Sequence, residues 1–180
     1  MIYEPSEDSY LLREFVLEFA QGKVLDMGTG SGIQVEAALE RVNDVWAVDV
    51  NKEAVEFCRK KGINAIESDL FSNVQGKFDL IIFNPPYLPE ERDYMGIKMD
   101  KDDFNYVNDI ALVGGKKGWE TADRFLKDAK NFLNENGKIL LSFSSLGGDI
   151  EKLMRKYGYE VKKLKERRIF FEVLTVYLLF

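Results

Sequence analysis

The sequence contains no histidine and one cysteine, Cys58. The chain therefore cannot by itself build a Ser–His–Asp triad, a Cys–His dyad or a His/Cys zinc cage. A lone thiol cannot form an internal disulfide either, which fits a reducing compartment. Proline is scarce, at four in 180 residues, and there is no internal repeat or biased tract. Disordered and solenoid architectures are thereby disfavoured. No long apolar run occurs, and Met1 leads into Ile-Tyr-Glu-Pro with no basic segment. Neither a signal peptide nor a membrane span is expected, and the expected location is the cytoplasm. Positive charge is also short: the formal net charge is −6, so general affinity for nucleic acid is not implied.

What is present suffices for one core, since 46% of residues are apolar. A single domain over 1–180 is expected, with 1–21 as an N-terminal helical segment and 22–180 as the core. The charge is uneven. From Glu151 to Arg168 there are eight Lys/Arg against three Glu. A solvated helix and strand face accounts for this most simply, and a docking surface for an acidic partner is the other reading.

Periodicity orders the chain. Ser6 can cap a helix whose apolar face is Leu11, Leu12, Phe15, Val16 and Phe19. Strands are expected at 23–27, 45–50, 63–67, 78–83 and 138–144, with helices at 31–41, 53–61 and from Trp119 to Leu133. Cys58 is expected to pack in the core. A helix at 150–157 and strands near 159–167 and 169–179 follow. Asn84–Lys117 shows little periodicity, which in a compact domain often marks function. Alternating strands and helices predict an α/β fold: a doubly wound, mainly parallel seven-stranded sheet with a C-terminal antiparallel hairpin. Ligands of such sheets bind beyond the carboxyl ends of the strands.

Those ends carry the informative residues. Asp26-Met-Gly28-Thr-Gly30-Ser-Gly32 follows the first strand and opens a helix. The glycines allow close backbone approach, and the helix start offers N–H groups to an anion. Ile33 stands where a dinucleotide fingerprint needs glycine, and no Gly-Lys-Ser/Thr follows as in a P-loop. Asp26 would repel phosphate but could hold an ammonium group. Asp49 ends the second strand, where a carboxylate accepts both hydroxyls of a ribose. Asp69 and Leu70 follow the third, placed to accept from an adenine amino group and to pack on its ring. An amino-acid end, a ribose and an adenine together describe S-adenosylmethionine. Over residues 22–144 this layout resembles the class I, Rossmann-like methyltransferases.

Asn84-Pro85-Pro86-Tyr87 follows the fourth strand. A planar amide or amino nitrogen is a poor nucleophile because its lone pair is delocalised. Two acceptors aimed at its N–H bonds, the Asn84 side-chain oxygen and the Pro85 carbonyl, would fix it and stabilise the charge that develops on methyl arrival. Tyr87 can stack on the planar group and attract the reacting methyl. Asn84 also borders the expected cofactor. The motif resembles that of the HemK/PrmC-like glutamine-N5 methyltransferases and equally that of adenine-N6-type methyltransferases of RNA or DNA amino groups.

Tyr3-Glu4-Pro5-Ser6-Glu7-Asp8-Ser9 resembles the opening of the short archaeal and eukaryotic release-factor glutamine methyltransferases, in which the segment lies against the cofactor; Ser9 matches the contacting position. Gly114-Gly115-Lys-Lys-Gly118 and Phe171-Glu172-Val-Leu extend that resemblance along the chain. It implies a translation release factor as substrate, methylated in a Gly-Gly-Gln loop. The bacterial relatives carry a further N-terminal docking domain, which this sequence does not contain. From Asn84 to Asp109 there are seven acidic and three basic residues, which opposes a phosphate backbone near the reaction site. The resemblance also implies a small zinc-binding activator on the edge of the third strand, where Ile63 and Ile66 would add apolar surface and few charges guard the backbone.

Overall fold

Strands with near-continuous apolar stretches fit a sheet covered on both faces, and the structure shows where each face goes. This computed structural model describes residues 2–90, 93–94, 97–98 and 111–180. Residues 91–92, 95–96 and 99–110 of the aperiodic stretch 84–117 thus lie outside the described residues. The elements in order are α1 (Glu7–Phe19), β1 (Lys23–Met27), α2 (Ile33–Leu39), β2 (Asp44–Asp49), α3 (Lys52–Lys60), β3 (Asn64–Glu67), β4 (Phe78–Phe83), β5 (Leu88–Pro89), β6 (Asp93–Tyr94), β7 (Ile97–Lys98), β8 (Val113–Gly115), α4 (Glu120–Ala129), β9 (Leu133–Ser144), α5 (Ile150–Lys156), β10 (Val161–Ile169) and β11 (Glu172–Leu179).

Seven strands form one sheet in the order β10-β11-β9-β4-β1-β2-β3. Pairs β1–β2, β1–β4, β2–β3 and β4–β9 are parallel, and β11 is antiparallel to both β9 and β10. Within β4 the side chains alternate: Leu80 and Ile82 pack with α1 and α2, while Ile81 and Phe83 pack with α4. On α4, Ala122, Phe125, Leu126 and Ala129 are buried, a single helical stripe. Phe71 stacks on Phe132 with centroids 4.4 Å apart and on Phe125 at 5.4 Å, so the loop after β3 is stapled to that layer.

Strand order reverses at β1 and β4, which places a crevice at their carboxyl ends. Strand β3 is the sheet edge, as expected, but not as an apolar surface. Ile63 is buried with α2 and α3, and Ile66 packs against the opposite core cluster. The reason is the pleat: successive side chains go to opposite covered faces, leaving backbone and the polar Asn64 and Glu67 exposed along the edge. Even that edge is partly occupied, since Arg59 donates from Nε and Nη2 to the Ala65 carbonyl at 3.0 and 2.8 Å.

Much of the basic C-terminal segment is matched internally. Arg167 pairs with Glu7 at 2.8 Å, Lys165 pairs with Glu14, and Lys163 pairs with Glu151 at 2.8 Å. These are exposed pairs, each worth roughly 0–1 kcal/mol. They account for much of the positive run as a solvated, charge-paired face.

Candidate active site

A cavity of about 700 Å³ opens at the carboxyl ends of β1, β2 and β4. Its cofactor-side wall starts with the β1–α2 loop. Gly28, Gly30 and Gly32 all have left-handed φ, at +67°, +51° and +84°. Gly28 and Gly30 line the cavity, but Gly32 does not. Gly32 is the N-cap of α2, and a Cβ there would meet Cys58 Sγ at 3.3 Å, so its part is to seat the helix. Asp49 binds the loop back: its Oδ2 accepts from Gly30 N–H at 2.9 Å and its Oδ1 from Asn51 N–H at 2.8 Å.

Asp26 is buried, and its Oδ2 has no hydrogen-bond partner among the described residues. Burial pushes its carboxyl up to about 7, Asp49 adds to the rise, and a Thr29 hydrogen bond opposes it. Such a group needs a cation to stay charged. Asp69 and Leu70 lie on the same wall. Asp69 Oδ2 is taken by Arg124 of α4 at 2.7 Å, a rim contact between residues 55 positions apart. Leu70 is held at φ +49° with its carbonyl accepting from Ser68 Oγ at 2.8 Å. A leucine in that region is strained, a condition that clusters at ligand clamps.

Asn84, Pro85 and Tyr87 form the facing wall. Asn84 Oδ1 is buried and has no hydrogen-bond partner among the described residues. Tyr87 meets Phe143 edge-on at 6.0 Å, and its hydroxyl donates to Asp8 at 3.4 Å. Burial first, then the Asp8 charge, lifts the Tyr87 hydroxyl far above its ordinary value, so the ring stays neutral.

The glycines at 114 and 118 serve close packing on residues 86 and 87 rather than flexibility. A Cβ on Gly114 would collide with the Pro86 carbonyl, and one on Gly118 with the Tyr87 carbonyl. Backbone lies on backbone here, and β8 pairs with β5 immediately after the motif.

Ser9 is buried on the cavity wall at the start of α1, and Gln34 of α2 donates from Nε2 to the Ser9 carbonyl at 2.8 Å. Tyr3 and Asp8 line the cavity beside it. Sequence reasoning quoted both within the opening segment without giving either a place in the site. Of the residues expected there, Ser9, Asp26, Gly28, Gly30, Asp49, Asp69, Leu70, Asn84, Pro85 and Tyr87 share the cavity.

Residues 7–99 match the family model of the methyltransferase small domain. The chain belongs to this methyltransferase family. A Methanocaldococcus jannaschii protein provisionally named a protein N5-glutamine methyltransferase is 37% identical, the match covering 97% of this chain and 89% of that one. The Aquifex aeolicus release factor glutamine methyltransferase is 32% identical over 78% of this chain and 53% of its own length, so the chain spans about half of that relative. Among solved structures, the E. cuniculi Mtq2–Trm112 complex, responsible for methylation of the eRF1 translation termination factor, contains a chain with a TM-score of 0.73. That chain is 30% identical, with 99% of this chain and 97% of that one covered. The family is that of methyltransferases, its fold is the class I α/β sandwich described above, and S-adenosylmethionine is the methyl donor its cavity suits. Among the described residues, no helix is long and apolar enough to cross a membrane.

Proposed function

We propose that this chain transfers a methyl group from S-adenosylmethionine to the side-chain amide nitrogen of a glutamine in the Gly-Gly-Gln loop of a translation release factor. One observation carries the reading: Asn84 Oδ1 is a buried acceptor without a partner among the described residues, on the cavity wall beside Pro85. A buried acceptor left unpaired costs roughly 1–3 kcal/mol, and a donor from an amide nitrogen recovers it.

The donor molecule fits the opposite wall. Asp26 would take its ammonium group, Asp49 its ribose hydroxyls, and Asp69 and Leu70 its adenine, with Ser9, Gly28 and Gly30 closing around it. When bound, it supplies an electrophilic methyl on a sulfonium. The chain's own residues do the rest. Asn84 Oδ1 and the Pro85 carbonyl accept the two amide N–H bonds and aim the nitrogen lone pair at the methyl carbon. Tyr87 covers the planar group with a neutral ring. The proton lost after transfer goes to solvent, and no side-chain base is needed in the transition state. Positioning of this kind can supply several kcal/mol.

The names of the Methanocaldococcus, Aquifex and E. cuniculi relatives support glutamine as the acceptor. The excess of acidic residues over 84–109 favours protein over nucleic acid. In this reading the chain works as one domain over 1–180, with 1–21 packed on the cofactor site and 22–180 as the core, in the cytoplasm where translation runs. Mass spectrometry of an archaeal-type release factor, incubated with enzyme and cofactor, is expected to show one added methyl on the loop glutamine. Label in tRNA or rRNA with none on the factor would replace glutamine by a nucleic-acid amino group.

A small zinc-binding activator on the β3 edge completes the proposal. The E. cuniculi relative is found in a complex with Trm112. With Ile63 and Ile66 turned inward, such a partner would add by backbone pairing. It would have to share or displace the Arg59 contact with the Ala65 carbonyl. Arg59→Ala is expected to leave the complex at least as tight in analytical ultracentrifugation. Separate sedimentation at micromolar concentration, or full activity of the chain alone, would remove the activator.

A further inference from the structure

For the proposed grip the Asn84 oxygen, rather than the amide nitrogen, must face the acceptor. An asparagine amide is nearly symmetric in shape, and flipped it would present N–H groups to another N–H donor. Asp8 resolves this. Its carboxylate is buried, 4% exposed, in the first turn of α1. Asn84 Nδ2 donates to Asp8 Oδ2 at 3.0 Å across 76 positions of sequence. An ionised carboxylate only accepts, so the side of the Asn84 amide that faces it must be the nitrogen. The oxygen is then turned the other way, buried and without a partner among the described residues.

Other groups hold the carboxylate still. Ser9 donates to Asp8 Oδ1 from its backbone N–H at 2.6 Å and from Oγ at 3.2 Å, and the Tyr3 hydroxyl donates at 3.2 Å. The Tyr87 hydroxyl reaches Oδ2 at 3.4 Å. A buried carboxylate with this many donors is fixed in place and has its desolvation offset. We propose that Asp8 is a positioning residue that locks the Asn84 amide with Oδ1 toward the acceptor nitrogen, so that the amide grip is set before substrate arrives. This rests on the reading of Asn84 as one of the two acceptors for the substrate amide.

The test uses Asp8→Asn, which keeps size and shape but can donate to a flipped Asn84. In single-turnover methylation of the release factor, the variant is expected to be slower by roughly two orders of magnitude, the scale of losing one transition-state acceptor. Affinity for cofactor is expected to stay within about threefold, because the residues proposed to hold it are unchanged, whereas affinity for the release factor falls by the loss of one amide hydrogen bond. Introduced into Asn84→Ala, the same change is expected to cost less than about twofold, because residues acting as a unit do not add. Nitrogen-15 NMR of the wild-type protein with S-adenosylhomocysteine supplies a readout that needs no substrate. The Asn84 side-chain NH2 is expected to exchange slowly, and this protection is expected to vanish in Asp8→Asn. A transfer rate within threefold of wild type, an equal loss in the Asn84→Ala background, or an Asn84 amide exchanging as fast as a free one overturns the proposal. If the wild-type enzyme leaves the release factor unmethylated, the substrate reading fails, and the exchange measurement still decides whether Asp8 holds Asn84.

Discussion

Asp49 Oδ2 accepts the Gly30 N–H at 2.9 Å, so the carboxylate read as a ribose ligand is also the clasp of the glycine loop. Its removal should therefore undo two things together. Asp49→Ala is expected to lose two charge-assisted hydrogen bonds to ribose, on the order of 2–3 kcal/mol of cofactor affinity. Loosening of the loop adds to that. Calorimetric titration with S-adenosylhomocysteine checks this, and unchanged affinity would take Asp49 out of the site.

Asn84→Ala leaves the cofactor wall in place but removes the unpaired acceptor on the facing wall. Cofactor affinity is expected to fall modestly, and methyl transfer by roughly two orders of magnitude or more. A single-turnover rate equal to wild type would be incompatible with the proposed grip.

Burial raises the Asp26 carboxyl from 3.8 to about 7. A raised carboxyl binds more protons in the folded chain than in the unfolded one. Stability of the cofactor-free protein is therefore expected to fall as pH climbs from about 4 through about 7. Cofactor affinity should move oppositely over the upper part of that range, because the ammonium group favours the charged carboxylate. Melting curves and titrations between pH 5.5 and 8 read both trends, and Asp26→Asn should flatten them. Parallel pH profiles for wild type and Asp26→Asn would show that another group is responsible.

Gly118 sits at φ +90°, and a Cβ there would press on the Tyr87 carbonyl. Gly118→Ala is expected to destabilise the fold by about 2–4 kcal/mol, combining the left-handed penalty with the clash. Methyl transfer should drop by more than tenfold, with cofactor affinity far less affected, since the displaced backbone is that of the reaction motif. Thermal melts and transfer rates measured side by side test the link; a stable variant with normal transfer would break it.

The parts of the site legible in the sequence were those that follow a strand directly. Asp26, Asp49, Asp69 and Asn84 each lie at or just past a strand end, and one parallel sheet brings such ends together. What was not legible depends on contacts distant in sequence. Asp8 reads as an acidic residue in a helix first turn, where any acid complements the dipole. Only the approach of Asn84 shows its other use. Gly114 and Gly118 read as a loose loop until the carbonyls of Pro86 and Tyr87 are seen against them. Ile63 and Ile66 read as edge surface because a doubly wound pattern does not say how far the cover reaches toward the edge strand, and here it reaches β3 on both faces.

The strand latest in sequence, β11, does not lie at the rim of the sheet but between β9 and β10. Helix α1, which carries Asp8 and Ser9, packs against β9 and β11, and Arg167 reaches back 160 positions to Glu7. During synthesis, β10 has no neighbour to pair with until residues 172–179 are free to slide between it and β9. Wedging a strand between two earlier ones is a non-local step, the kind that slows folding. Until it happens, α1 lacks the part of its seat that β11 supplies. A nascent chain whose glycine loop is already shaped would thus still lack β11 beneath α1, the helix that sets Asp8 beside Asn84.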